Sequence, residues 1–209
     1  MKTKIAALVL MLSGLAQAQM TPDVIALQDR WAEVNYLTSG KAQVEAFSAL
    51  IDQAEKVTRQ QKDNAQAWTW SGIIKSSYAG AKGGLGALSS AKAAKADFEK
   101  AMSIDPSVLE GSAYTSLGVL YLNVPGWPVG FGDDDKGVEL LMKGLEQSPE
   151  GIDSNYFYAE YLFKEKEYDK AERFLNKALK AAARSGREVA DDGRRGEIRH
   201  MLEEIEEHR

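Results

Sequence analysis

The chain has 209 residues, 44% of them hydrophobic and 27% charged, with a formal charge of −5 and no cysteine. These fractions fit one globular domain and exclude collagen, low-complexity and wholly disordered chains. The absence of Cys rules out disulfides, thiol nucleophiles and Cys-ligated zinc or iron–sulfur sites, and the acidic balance offers nucleic acid no electrostatic footing.

Lys2 and Lys4 open the chain, the apolar run Ile5–Leu12 follows, and Ala16-Gln17-Ala18 supplies a small-x-small cleavage pattern. This predicts a signal peptide over 1–18, cleaved after Ala18, and a periplasmic address. The run is too short to span a bilayer, and no later stretch is apolar enough, so no integral membrane segment is expected after cleavage. Loss of Lys2 and Lys4 moves the formal charge from −5 to −7. Residues 19–209 are expected to form a single helical domain.

Thr21-Pro22-Asp23 predicts a helix start, with a hydroxyl cap, Pro at the first position and an acid near the positive end. Val24, Leu27, Trp31 and Val34 then mark one helix face, and Val44, Phe47, Leu50, Ile51 and Ala54 mark a second. Together, 21–61 is expected to be a helical hairpin. No sustained period-two alternation follows anywhere.

From there the chain repeats itself. Ala94, Phe98, Ala101 and Pro106 share a spacing with Gly137, Leu141, Gly144 and Pro149, and with Ala171, Leu175, Ala178 and Ala183. Small residues seven apart let a neighbouring helix approach, the large apolar residue between them fills the gap, and Pro stops the helix. Each segment follows another helical one: Trp68 with Gly72, Tyr114 with Leu117, Gly118 and Tyr121, and Asn155 with Tyr158, Ala159 and Leu162. This pattern resembles the tetratricopeptide repeat, a helix–turn–helix unit. The resemblance implies an all-α solenoid with units at 65–106, 112–149 and 153–183. Ile198, Met201, Leu202 and Ile205 share one face of the final segment, so 194–209 is expected to be a capping helix.

Two units are longer than standard. Trp68 and Ala94 are 26 positions apart and Tyr114 and Gly137 are 23 apart, against about 16 in the repeat pattern. The excess falls around Ala79–Ser90 and Asn123–Asp135, which stacking would place side by side along one edge. The first is rich in Gly. The second sets Trp127 and Phe131 among Pro and Gly, where the rings either plug the stack or touch a partner.

A Pro-Gly-rich insert before the second helix, in an exported helical-repeat protein of this size, also resembles the T-component proteins of TRAP-type transport systems. That resemblance implies a partner such as a periplasmic solute-binding protein, or a hydrophobic ligand. The cleavage region lacks the Cys on which membrane-tethered members carry lipid.

Catalytic motifs are not assembled. His200 and His208 are eight apart, not the four of a helical metal pair. Asp133-Asp134-Asp135 lacks the alternating acids and closing Glu of a calcium loop and reads as a helix start. Lys82–Gly86 is not a phosphate loop, and Ser89-x-x-Lys92 lacks its K-T-G partner. No enzyme activity, metal or cofactor is expected.

In tetratricopeptide arrays the first helix of each unit lines a concave groove. The family's contact positions fall here on Thr69, Ile73, Ser76 and Ser77; on Thr115, Val119, Leu122 and Asn123; and on Tyr156, Glu160, Phe163 and Lys164. With one Lys and one Asn, such a groove disfavours a carboxylate clamp and suits an apolar ligand or partner segment. Val119 and Phe163 serve equally as packing between repeats. The binding residues expected are therefore Ile73, Val119, Leu122, Asn123, Trp127, Phe131, Tyr156 and Phe163. The chain reads as an exported adaptor for a protein partner, with a carrier or sensor of a hydrophobic small molecule as the alternative.

Overall fold

The computed structural model describes residues 19–84 and 86–208. Residues 1–18, expected from the sequence to be a signal peptide, lie outside the described residues. Nine helices and no strand occur among those described: α1 Pro22–Leu37, α2 Gly40–Gln60, α3 Ala65–Lys82, α4 Ala87–Ile104, α5 Val108–Asn123, α6 Asp134–Gln147, α7 Ile152–Lys164, α8 Tyr168–Leu179 and α9 Glu188–Glu207. The protein is an all-α helix–turn–helix solenoid.

The small-large-small pattern acts at the contacts between paired helices. A Cβ on Gly72 of α3 would meet Phe98 of α4 at 2.6 Å, and one on Gly118 of α5 would meet the Gly137 carbonyl of α6 at 2.8 Å. Gly is needed at both because nothing larger fits between the helices. Phe98, Leu141 and Leu175, the large residue of each repeated pattern, are essentially fully buried. Pro106 and Pro149 stand just beyond the ends of α4 and α6.

Helix starts follow local chemistry with one departure. Asn64 caps α3 by accepting from the Gln66 and Ala67 amides, and Asp133 caps α6 by accepting from Lys136 N–H at 3.0 Å. Asp134 and Asp135 occupy the first turn of α6, beside its positive end. The Thr21 hydroxyl does not cap α1. It donates to Gln61 Oε1 at the end of α2 instead, at 3.0 Å, tying the hairpin's two ends together. Leu109, Glu110 and Gly111 adopt left-handed backbone, with φ of 48°, 54° and 78°, so regular helix in α5 starts beyond them.

The two inserts differ in kind. Most of the Ala79–Ser90 insert is absorbed into longer α3 and α4, leaving only Gly83, Gly84 and Gly86 outside them among the described residues, whereas the second is a true loop over Val124–Asp133. The inserts do touch: a Cβ on Gly130 would lie 3.3 Å from Leu88 Cδ1.

The end of the chain does more than cap. α1, α3, α5 and α7 pack successively, and α9 packs on both α7 and α1. Ala190 of α9 belongs to the core built by Val24, Leu27 and Trp31, while Ile198, Met201 and Ile205 belong to the core built by α7 and α8. The terminal helix begins at Glu188 rather than Arg194 and joins the two ends, so the inner helices form a closed ring of five.

Candidate ligand-binding cavity

A cavity of about 1590 Å³ lies inside this ring. Trp31 of α1, Trp70 and Ile73 of α3, Val119 of α5 and Phe157 of α7 contribute apolar wall, and Pro125 and Val129 of the second insert stand at its edge. Each faces inward because odd-numbered helices turn the side opposite their paired helix toward the ring's centre. Trp31 is held by an indole N–H donating to Ser77 Oγ at 2.9 Å and by the Trp70 ring, 5.6 Å between centroids.

One end of the cavity is charged. Arg184 and Arg187 come from the α8–α9 connection and Arg194 from α9; all three line the cavity with Asp153 of α7. Asp153 accepts from Arg184 Nη1 at 2.7 Å and from Arg194 Nε at 2.8 Å. Burial opposes its charge, but the two guanidiniums outweigh burial and hold the carboxyl well below the usual range. Arg194 also lies over the Tyr156 and Phe157 rings, at 4.3 and 4.4 Å, and donates to Glu197 at 2.6 Å. Burial raises the Glu197 pKa and pushes the Tyr36 hydroxyl up to about 12. Arg184 is further held by Asp191 at 2.7 Å.

Of the sequence-predicted site residues, Ile73, Val119 and Asn123 line the cavity, together with Ser76, Ser77 and Thr115. Five do not. Leu122 turns toward α6, where a Cβ on Gly137 would meet it at 2.6 Å. Tyr156 is covered by Arg194, and Phe163 stacks on His208 at 6.0 Å, because α9 lies over the face of α7 that an open groove would have exposed. Phe157, one position on, takes the inward place. Phe131 packs edge-on against Tyr121, 5.4 Å between centroids, and so plugs the stack. Trp127 is 90% exposed and does not point inward at all.

Trp31, Trp70 and the arginines were missed by carrying over repeat positions, since they lie in a degenerate hairpin, off the contact register, or outside the repeats. The signal available was the cluster Arg184, Arg187, Arg194 and Arg195 in an acidic chain.

No helix among the described residues is long and apolar enough to cross a membrane, and no group of three or more His, Asp or Glu among them is placed to hold a metal ion. A tetratricopeptide repeat family profile matches residues 152–184, which hold α7 and α8. No curated protein matches the chain. Among solved structures, the crystal structure of MamA is similar at 18% identity and a TM-score of 0.35, covering 68% of this chain and 91% of that one.

Proposed function

We propose that the chain is a non-enzymatic exported adaptor that receives an extended segment of a partner protein inside its ring of helices. The observation that carries this reading is the cavity's size, about 1590 Å³, beyond the roughly 300–1,000 Å³ of small-ligand pockets. The repeat at 152–184 supports it, since tetratricopeptide repeats generally mediate protein–protein contacts. Export and a periplasmic address rest on the basic start, the apolar run and Ala16-Gln17-Ala18. Panning a displayed random decapeptide library against the protein tests the reading. Enrichment of apolar segments is expected; no enrichment over a bead-only control contradicts it.

A second reading is favoured by one observation, the return of α9 to α1 that closes the cavity's side. It makes the protein a carrier of a hydrophobic small molecule, coupled to a TRAP-type uptake system through a solute-binding protein. Native mass spectrometry separates the two. A retained lipid-sized mass supports the carrier, and a bare chain supports the adaptor.

A further inference from the structure

Three arginines face the cavity, and they are not equally matched. Arg184 has Asp153 and Asp191, and Arg194 has Asp153 and Glu197. Arg187 forms no ion pair within 4 Å among the described residues. Its Nη1 reaches only the neutral Gln28 Oε1, at 3.3 Å, and its guanidinium rests 5.1 Å from the centre of the Trp70 ring. Its Nε–H is buried without an acceptor, and so is the Trp70 indole N–H. Buried donors left without acceptors are uncommon and cost stability. Here two of them belong to side chains in contact with each other, in the wall of one cavity. Burial, then the neighbouring Arg184 charge, disfavour the charged form of Arg187.

We propose that Arg187 is an anion anchor, and that the partner segment seated in the cavity presents a carboxylate to it while laying apolar side chains along Ile73 and Val119. The inference rests on the adaptor reading above and names the chemistry of its partner. Charge complementarity selects the carboxylate: the Arg187 guanidinium lines the cavity with no anion paired to it, and its Nη–H groups can donate to a carboxylate's oxygens. The rest of the wall mixes apolar side chains with neutral polar ones and carries two acids, Glu110 and Glu150, which would repel an acidic run, so the match is to one acid in a largely apolar sequence. This reverses the expectation from the repeat positions alone, which offered a carboxylate little, because the cations enter from the α8–α9 connection instead of the first helices.

The test uses two random decapeptide libraries panned against the full chain, one displayed with a free C-terminus and one with its C-terminus fused. The expected result is enrichment of apolar peptides with a single carboxylate. Enrichment confined to the free-ended library assigns the carboxylate to a chain end, and enrichment of Asp or Glu in both assigns it to a side chain. For a side-chain acid, its change to the amide in a selected peptide should raise the Kd about tenfold or more on the native protein and less than twofold on Arg187→Gln. A chain-end acid is compared with its C-terminal amide in the same way. If Arg187→Gln does not fold, Arg187→Lys takes its place: the preference for acid over amide should fall severalfold, because an ammonium cannot match the guanidinium's geometry, and an unchanged preference would overturn the anchor. Apolar peptides enriched with no acid preference would overturn the anchor while leaving the adaptor reading standing. No enriched peptide at all would overturn both.

Discussion

Trp127 and Phe131 sit four residues apart in one loop and do opposite things. Phe131 is half-buried against Tyr121, with Lys95 Nζ 5.9 Å from its ring centre. Trp127 is 90% exposed, beside Val129 at 55%. An exposed ring on a loop held by short internal hydrogen bonds, such as Gly132 N–H to Pro125 O at 3.0 Å, meets a partner with little loss of entropy. Trp127→Ala should therefore leave the melting temperature nearly unchanged and weaken partner binding by about 2 kcal/mol. Phe131→Ala should destabilise folding by about 2 kcal/mol, less than for a fully buried Phe. Thermal unfolding of the two variants side by side checks the contrast, and a large drop for Trp127→Ala would remove the loop from recognition. Sequence spacing placed both rings in the loop but not their directions, which depend on what α5 presents beneath each one.

The paired helices were legible because close packing leaves a periodic mark. The pattern containing Phe98, Leu141 and Leu175 named the buried knob of each pair, and Gly72 and Gly118 are the gaps that receive the first two. Gly118→Ala should cost about 2 kcal/mol in folding stability, since its added carbon meets backbone at Gly137 that a rotamer change cannot clear. Denaturant unfolding measures this, and an unchanged midpoint would contradict the α5–α6 packing. The ends of helices and inserts were less legible. The Gly-rich stretch after Tyr78 looked like loop, yet Ala79–Lys82 continues α3, because local composition does not reveal that α4 is there to pack against. Residues 188–193 of α9 were missed for a related reason: Ala190 is buried against the α1 core, far away in sequence. The buried Arg194 likewise meets Asp153, 41 residues back, and that pairing sets a pH dependence. Asp153 is held below its ordinary pKa in the folded protein, so its stabilisation is full above the unfolded carboxylate value of about 4 and is lost as pH falls through the folded value. Glu197, raised by burial, runs the other way. The melting-temperature gap between native protein and Asp153→Asn should thus be largest near neutral pH and shrink below pH 4. A gap independent of pH would contradict the Arg184–Asp153–Arg194 linkage.

At the scale of the whole molecule, the repeat pattern describes an open stack, and the chain closes it. A solenoid's units touch only their neighbours. Here α9 reaches from α7 back to α1, where Tyr36 packs over Gly193 and its hydroxyl meets Glu197 at 3.5 Å. Closure turns a groove into a cavity, covers Tyr156 and Phe163, and brings the arginines together in the wall of a largely apolar chamber. Neither the closure nor the arginine cluster follows from the repeat, because both come from residues after its last unit. The account's central claim is that a partner enters this chamber, and Val119→Trp tests it most directly. Val119 lies in the cavity wall and is only partly buried, so the larger ring projects into the chamber, across the place proposed for the partner's apolar side chains, rather than into the core. Titration calorimetry with peptides selected on the native protein should show affinity reduced by about a hundredfold or more, about 2.7 kcal/mol, with the melting temperature within a few degrees of native. Unchanged affinity in a folded Val119→Trp protein would place the partner somewhere other than the chamber and contradict the account.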